Sequence, residues 1–334
     1  MRAVNASLKW FLLLLIGFGL SGCAGLSNRS DDARHYWRGT LIQDAQGYWF
    51  ELCGEAERHP VVRLGAPLER EYARHSLGEG WPVYVEVLGQ VSEDGVTLDD
   101  PVLIGGSLQA CELHLPGIKL RAVSERDNAV FDLREQHIRV HFRDSLRQFG
   151  FTRPEVERLA AVRRWQQTMK TGGGRRDHNL SLEVEKRGCE DTRGGWYALT
   201  LSAELDGRLY TGCARLGDLE HWRLSNRYQT PDSLTTRRLT LQLEPDGRAV
   251  LLEDYLNQQP VIEHQGRWQQ TGSGRLRLEF MPQGGFAAPQ SLTFGLSLEG
   301  RLRLNHFHPA YGRELELLPT GERLMQHPEL DWWR

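Results

Sequence analysis

Two histidines near the end of the chain, His306 and His308, combine a residue type and a spacing that could do chemistry. They are two positions apart, so on a β-strand both imidazole rings would point to the same face. Two imidazoles on one face can chelate copper or zinc, and His264 or Glu314 could supply a third ligand. The alternative is that both are polar residues at the end of a strand.

The sequence lacks the motifs that carry common enzymatic chemistries. It contains no Gly-x-Ser-x-Gly elbow, no Gly-Lys-Ser/Thr phosphate loop and no His-Glu-x-x-His segment. Acid pairs such as Asp99-Asp100 stand in turn-like contexts, whereas glycosidases need two carboxyl groups across a cleft. Because no nucleophile, base and orienting residue stand out as a set, the sequence predicts a non-enzymatic protein without a cofactor.

Composition and charge exclude several classes of protein. The chain of 334 residues is 40% hydrophobic and 25% charged, which argues against a disordered, collagen-like or polytopic membrane protein. Its 41 basic and 44 acidic residues give a net charge of −3, which argues against a nucleic-acid partner. The one basic concentration, Arg163-Arg164, Lys170 and Arg175-Arg176, could meet anionic lipid but is typical of a solvated helix face and loop.

The beginning of the chain has the pattern of an export signal. A positively charged start precedes an apolar run, Trp10 to Leu20, that is shorter than the ~20 residues of a membrane span. The run ends in Leu20-Ser-Gly-Cys23, which resembles the lipobox of bacterial lipoproteins. The resemblance implies that residues 1–22 are removed and that Cys23 is acylated on its thiol and its new amine. The alternative is an ordinary signal peptide with an incidental cysteine.

The residues after Cys23 indicate where such a lipoprotein would reside. Ala24 stands where an aspartate retains enterobacterial lipoproteins in the inner membrane. The resemblance therefore implies a lipid-anchored protein of the outer membrane that faces the periplasm. Residues 23–34 are mostly small and polar, which is typical of a tether between a lipid anchor and a folded domain.

Four further cysteines, Cys53, Cys111, Cys189 and Cys213, follow in the body of the chain. An even number in an oxidising compartment indicates disulfides, and four cysteines allow three pairings. We expect Cys53–Cys111 and Cys189–Cys213, because each bridge then stays within one domain of the predicted organisation. No Cys-x-x-Cys occurs, which argues against a thioredoxin-type site and a zinc ribbon.

Strand signals dominate the rest of the sequence. Three turns share one chemistry: Asp206-Gly-Arg, Asp246-Gly-Arg and Glu299-Gly-Arg. An acidic residue followed by glycine between alternating apolar runs favours a β-hairpin, because both central residues of a type I′ turn need positive φ. One helix is predicted near 153–168, where Thr152 could act as the N-cap and Pro154 would stand in the first turn.

These signals predict a mainly β chain of three small antiparallel, barrel-like domains. The first, 35–118, has five strand candidates with a short helical stretch between the third and fourth, which is the order of an OB-like barrel. The second, 119–218, is a disulfide-containing β domain that includes the predicted helix. The third, 219–318, has closely spaced short strands, and 319–334 is predicted to be a tail.

Strand and turn patterns in the third unit resemble a known family. They are Leu239-Thr-Leu-Gln-Leu-Glu-Pro-Asp-Gly247, Asp254-Tyr-Leu256, Gly266-Arg-Trp268 and Gly274-Arg-Leu-Arg-Leu278. This series is similar to the N-terminal domain of the NlpE family of outer-membrane lipoproteins, a lipocalin-like antiparallel barrel. The Cys-x-x-Cys-Pro-Gly segment of that family, linked to copper and redox sensing, has no counterpart in Tyr228–Leu234. The resemblance therefore implies the fold and not the metal role.

The first two units carry resemblances of their own. Trp37-Arg-Gly-Thr-Leu41, Phe50–Gly54 and Pro82–Gly89 resemble the OB-like domain of the same family, in which that domain comes second. In the second unit, Cys189–Tyr197 followed by Gly212-Cys-Ala214 resembles small envelope proteins in which such cysteines close a disulfide.

Together these features predict a non-enzymatic, periplasm-facing outer-membrane lipoprotein that binds an envelope protein, in envelope maintenance or stress sensing. A first alternative is a carrier that holds a small apolar or glycan ligand in a barrel mouth, which predicts an apolar pocket unfilled by the chain's own side chains. A second alternative is copper or zinc handling through His306 and His308.

Overall fold

A computed structural model of the chain describes residues 35–320, except 56, 107, 172–175, 218, 235, 272–274 and 282–289. The predicted signal peptide (1–22), Cys23, the tether (23–34) and almost all of the tail (319–334) lie outside the described residues. No helix within the described ranges is long and apolar enough to cross a bilayer.

The first unit is a closed five-stranded barrel with one helix. Its elements are β1 (His35–Asp44), β2 (Gly47–Leu52), β3 (Arg58–Leu64), α1 (Ala66–His75), β4 (Val83–Ser92) and β5 (Gly95–Ile104). The strands close in the order β1-β2-β3-β5-β4-β1, with β3 and β5 parallel and the other pairs antiparallel. A helix between β3 and β4 of such a barrel is the OB-like arrangement that the sequence predicts.

The core of this barrel explains why its strands form. Four large apolar side chains pack inside the barrel: Trp37, Leu41, Phe50 and Val85. Each of them either alternates with less buried neighbours along its strand or belongs to a continuous buried run. Tyr72 of α1 closes one opening of the barrel from within the same core. A 3₁₀ turn, Leu108–Glu112, follows β5 and leads the chain into the second unit.

The second unit is a curled antiparallel sheet. Its elements are β6 (Leu120–Ser124), β7 (Ala129–Leu133), β8 (His137–Phe142), β9 (Gln148–Thr152), β10 (Glu157–Leu159), β11 (Val162–Met169), β12 (His178–Glu185), β13 (Cys189–Glu190), β14 (Trp196–Tyr197), β15 (Leu199–Leu205) and β16 (Arg208–Leu216). Nine of these strands pair in the order β10-β11-β12-β15-β16-β6-β7-β8-β9. The hairpin of β13 and β14 instead pairs with β5 and extends the first sheet.

The helix predicted near 153–168 is wrong. Thr152 ends β9, and the residues that follow form β10 and β11. In β11 the Trp165 side chain is fully buried opposite Leu182 of β12. Burial of alternate side chains between neighbouring strands therefore outweighs the local helix-start signals, because those signals carry only a small part of the free energy that packing provides.

The third unit begins with α2 (Leu219–Leu224) and continues as a closed eight-stranded antiparallel barrel. The strands are β17 (Arg227–Gln229), β18 (Arg238–Leu243), β19 (Arg248–Asp254), β20 (Ile262–Thr271), β21 (Arg275–Phe280), β22 (Gln290–Leu296), β23 (Leu302–Leu304) and β24 (Glu316–Pro319). This barrel confirms the predicted lipocalin-like architecture. Inward-facing leucines and aromatic rings from the strands pack as one core and fill the interior.

The two ends of the eight-stranded barrel have different surroundings. The proximal end comprises the loops 244–247 and 297–301, and it contacts the first barrel through a hydrogen bond of 3.3 Å from Trp37 Nε1 to the carbonyl oxygen of Leu298. The distal end comprises the loops 230–237, 255–261 and 305–315, and it lies at the opposite ends of the same strands.

The three acidic-glycine turns connect hairpins as predicted, but only one has two residues of positive φ. Asp206 and Gly207 have φ of 53° and 81°, as a type I′ turn requires. At Gly247 and Gly300 the glycine alone has positive φ, and its N–H donates to a carbonyl three residues earlier. These two loops are therefore longer turns that end in a left-handed glycine.

Both predicted disulfides, Cys53–Cys111 and Cys189–Cys213, are formed. The first lies within the OB-like unit and holds the 3₁₀ turn against the end of β2. The second does not stay within one sheet, because Cys189 belongs to β13 of the first sheet and Cys213 to β16 of the second. The described residues form one compact unit, and this bridge is one of its ties.

Candidate functional site

A cavity of about 770 Å³ lies where the three β units meet. We call it the junction pocket. Its walls come from the first barrel, from the segment after the 3₁₀ turn, from the second sheet and from the proximal end of the third barrel. The residues that line the junction pocket include Tyr36, Leu113, Leu115, Arg215, His221 and Trp268. The volume is within the range of pockets that hold small molecules.

A buried carboxylate organises one side of this pocket. Glu86 of β4 is fully buried, and its carboxylate accepts hydrogen bonds of 2.8 Å from the hydroxyl groups of Tyr36 and Tyr84. It also accepts a hydrogen bond of 2.5 Å from Nη2 of Arg215, which reaches over from β16. This contact joins the second sheet to the first barrel.

A second guanidinium group, that of Arg38, belongs to the same cluster. Its Nε donates to the Tyr84 hydroxyl group at 3.0 Å and lies 4.0 Å from the Glu86 carboxylate. Its Nη2 donates to the backbone carbonyl oxygens of Ala110 and Leu113. The Cys53–Cys111 disulfide fixes the segment that carries these carbonyls, so it also fixes the position of Arg38.

Burial and the Glu86 carboxylate set the protonation states of the cluster. Burial, followed by the nearby Glu86 carboxylate, raises the pKa of Tyr36 well above its usual value, and burial raises the pKa of Tyr84. Both phenols therefore stay neutral and donate. Burial acts to lower the pKa of Arg215, but the Glu86 carboxylate together with Tyr36 and Tyr84 outweighs it, and the pKa is raised. The Glu86 carboxylate thus faces the guanidinium groups of both Arg38 and Arg215 beside the pocket.

The remaining walls are apolar with a few polar groups. Leu113 and Leu115 stand on one side and Trp268 on another. Trp268 is held rigidly, because its Nε1 donates to the Glu244 carbonyl oxygen at 2.8 Å. The His221 ring stacks on Trp268 with centroids 4.3 Å apart. Burial lowers the pKa of His221, so its imidazole is neutral at pH 7.

Two further cationic side chains, Lys119 and Arg267, line the junction pocket. Arg267 is exposed and Lys119 is paired with the exposed Glu135. Asp246, the other acid of the lining, is paired with Arg248 at 2.6 Å, outside the pocket. The pocket therefore suits a ligand with an anionic group and an apolar body, because the guanidinium groups offer a partner for the charge and the leucines and Trp268 bury the rest.

The histidine pair of the sequence prediction is not arranged as expected. Strand β23 ends at Leu304, so His306 and His308 stand in the following loop, and the alternation of a strand does not apply. His306 is exposed beside a smaller cleft with Arg275 and Arg303, whereas the His308 ring stacks on Tyr311 at 4.8 Å.

The suggested third ligands do not complete a metal site either. His264 pairs with Glu253 at 3.3 Å in the barrel interior. Within the described ranges, no three His, Cys, Asp or Glu side chains are grouped to hold a metal ion. Cys23, the predicted lipidation site, lies outside the described residues.

The cluster beside the junction pocket was not predicted from the sequence. Glu86 and Arg215 are 129 positions apart, and only the packing of two sheets brings them together. One local signal was present: Glu86 interrupts the apolar run Val83–Leu88, in which a solvent-exposed acid is not expected. A charged residue in a strand with two buried faces indicates a buried partner.

Comparison with known proteins gives no relative on which to base a function. No family model matches the chain. No curated protein and no solved structure matches it either. The resemblance to the NlpE family therefore stays a prediction.

Proposed function

We propose that this chain is a non-enzymatic lipoprotein, anchored in the outer membrane and facing the periplasm, that binds a small anionic amphipathic molecule in the junction pocket. One observation carries the binding role: two guanidinium groups share one buried carboxylate beside a cavity of about 770 Å³ with apolar walls. Anchoring is supported by the Leu20-Ser-Gly-Cys23 segment.

The ligand binds in the junction pocket and not in the mouth of the eight-stranded barrel. The interior of the eight-stranded barrel is packed by its own leucines and aromatic rings. The junction pocket instead uses only the proximal end of that barrel, through residues such as Trp268. A carrier of this design needs all three units to be docked, because none of them forms the pocket alone.

An envelope protein is the second candidate ligand. The loop after α1 exposes Leu77 and Trp81, with 81% and 57% of each residue accessible. Exposed tryptophan is enriched at the centres of protein interfaces. Copper or zinc handling has no such support, because His306 and His308 stand in a loop and belong to no group of three metal-ligating side chains in the described ranges.

The test is calorimetric titration of the full-length protein with decanoate, using decanol as the uncharged match. We expect saturable binding of decanoate only. The Leu113→Asp variant should weaken that binding at least about tenfold, since a carboxylate on the wall repels an anion in a partly desolvated pocket. Leu113 is 45% exposed, so the fold tolerates the change.

Leu146→Asp is the matched control, because Leu146 is fully exposed and does not line the pocket. Equal weakening by both variants would contradict the assignment of the pocket. Equal affinity for decanoate and decanol would contradict the role of the guanidinium groups.

A further inference from the structure

The distal end of the eight-stranded barrel exposes an unusual number of apolar side chains. Seven of the fourteen exposed large apolar residues in the described chain stand on or beside its loops; one, Tyr255, directs its hydroxyl group to Glu253, and the other six are Leu234, Leu256, Val261, Ile262, Met281 and Phe307. We call these six residues the distal rim. They come from four different strand connections, so the fold, and not one hydrophobic segment, gathers them at one end.

The distal rim is built on an ordered polar layer. Arg237 Nη2 donates to the Ala310 carbonyl oxygen at 2.9 Å and so ties two of the loops together. Its guanidinium group also lies 5.1 Å from the centre of the Tyr311 ring. Tyr311 donates to the buried carboxylate of Glu253, which Tyr255 also reaches at 3.3 Å. The apolar side chains therefore project from a fixed base.

One rim residue has an unfavourable backbone conformation. Leu256 has a φ of +54°, in the left-handed region that suits glycine or asparagine and disfavours leucine. Its side chain is 42% exposed, so packing within the chain does not explain leucine there. Backbone strain of this kind is often found at positions that contact a ligand or a surface.

Two of the distal loops have long stretches without charge. No Asp, Glu, Lys or Arg occurs from Tyr255 to Ile262 or from Asn305 to Gly312. Charged residues elsewhere in the distal loops include Asp232, two positions before Leu234, and Arg313 and Glu314 at the end of the loop 305–315. Separate apolar tips above a polar base are typical of loops that enter the interfacial layer of a bilayer.

The length of chain before the first barrel permits this contact. Residues 23–34 span at most about 40 Å when fully extended. They lead to β1, whose Trp37 contacts the proximal end of the barrel, and the ten residues of β20 span about 33 Å from one end of the barrel to the other. A chain anchored at Cys23 can therefore bring the distal rim to the same membrane.

We infer that the distal rim inserts its apolar loop tips into the interfacial layer of a phospholipid bilayer, as a second membrane contact beside the anchor. This inference goes beyond ligand binding and rests on the proposed anchor only for its choice of membrane. It also orients the molecule: the eight-stranded barrel stands with its distal end on the lipid and its proximal end, with the junction pocket, away from it.

The test uses the full-length protein in nanodiscs of phosphatidylethanolamine and phosphatidylglycerol. An environment-sensitive fluorophore is attached to Phe307→Cys and, as the matched control, to Leu146→Cys on an exposed loop of the second sheet; peptide mapping verifies both native disulfides. We expect lipids with a shallow nitroxide group to quench the Phe307 label at least about twofold and the Leu146 label not at all.

The Leu256→Asn variant separates membrane contact from folding. Asparagine adopts positive φ more readily than leucine, so the midpoint of thermal unfolding should stay equal or rise. Quenching of the Phe307 label should nevertheless fall at least about twofold, because one apolar tip is lost. Unchanged quenching in this variant would contradict a role for Leu256 in membrane contact.

The remaining outcomes separate this inference from the proposed anchor. A protein retained in the nanodiscs with an unquenched Phe307 label would overturn the rim contact and leave the anchor standing. Quenching in a protein whose mass shows no acyl group would support the rim and overturn the anchor. If the Phe307 label is shielded from water but not quenched by lipid, and the shielding increases with protein concentration, a second copy of the chain covers the rim. That result would overturn the inference.

Discussion

At the scale of single residues, the junction pocket depends on how one carboxylate is shared. Glu86 satisfies two phenols and the Arg215 guanidinium group, while Arg38 is held mainly by backbone carbonyls and the Tyr84 hydroxyl group. Buried ionic clusters add little net stability, because desolvation offsets much of the attraction. Their geometry is nevertheless specific, so this cluster fixes two cationic groups beside a cavity, where a ligand can reach them.

The first prediction concerns His221. Burial lowers its pKa from the usual 6.5, so the unfolded chain takes up a proton first as the pH falls. The folded state therefore loses stability as the pH falls below about 6.5, and above that pH the histidine contributes no dependence. In His221→Gln, whose amide can still donate toward the Pro245 carbonyl oxygen, we expect a smaller loss of unfolding free energy between about pH 7 and 5.

Urea denaturation at several pH values measures this dependence. His137→Gln is the control, because His137 is exposed. His141 and His308 also have lowered pKa values through burial, so part of the dependence should remain in the His221 variant. Identical pH dependence in the native protein and His221→Gln would contradict the prediction.

At the scale of elements, sequence patterns predict the helices and strands whose conformation depends on contacts between residues close in the chain. The strands of the first barrel and its helix could be predicted, because short connections join them in the chain order β1, β2, β3, α1, β4, β5. The conformation of the segment 153–168 could not be predicted, since it depends on pairing with β12. The β13–β14 hairpin could not be assigned to the first sheet either, because its partner β5 lies about 90 residues earlier. The Glu86–Arg215 contact was missed for the same reason.

The second prediction concerns the pairing of β16 with β6. A Cβ atom on Gly212 would lie 1.9 Å from the Val123 carbonyl oxygen and 3.0 Å from the Ser124 Cα. Both are backbone atoms, so the clash cannot be relieved by turning a side chain. We expect Gly212→Ala to lower the free energy of unfolding by about 1–3 kcal/mol, measured by urea denaturation.

Gly150→Ala on β9 is the matched control. The added Cβ would meet nothing within 4 Å, and Gly150 does not have positive φ. Its effect should be neutral or slightly stabilising, since alanine restricts the unfolded chain. An equal loss of stability in both variants would contradict the steric argument.

At the scale of the whole molecule, several ties of different chemistry hold the three units together. The β13–β14 hairpin pairs with β5, and the Cys189–Cys213 disulfide links that hairpin to the second sheet. Arg215 adds an ion pair between the second sheet and the first barrel. The junction pocket lies among these ties, so binding of a ligand there and docking of the units stabilise each other.

The third prediction concerns the tie between the eight-stranded barrel and the first barrel. Arg223 of α2 is 8% exposed and donates to the backbone carbonyl oxygens of Tyr36, Ser297 and Leu298 at 3.3, 3.0 and 3.0 Å. In Arg223→Met these carbonyls lose a charged donor, and we expect the stability of the docked state to fall by about 2–4 kcal/mol. Calorimetry should then resolve a separate, earlier unfolding transition, because the eight-stranded barrel keeps its own core.

Decanoate binding distinguishes undocking from a simple loss of stability. The proximal end of the barrel supplies Trp268 to the junction pocket, so an undocked barrel removes one wall, and Arg223→Met should weaken decanoate binding even where both barrels remain folded. Arg238→Met, which removes an exposed arginine at the distal end of the same barrel, should leave both the calorimetric transition and the binding unchanged. A single transition with unchanged binding in Arg223→Met would show that the remaining contacts hold the units together without this arginine.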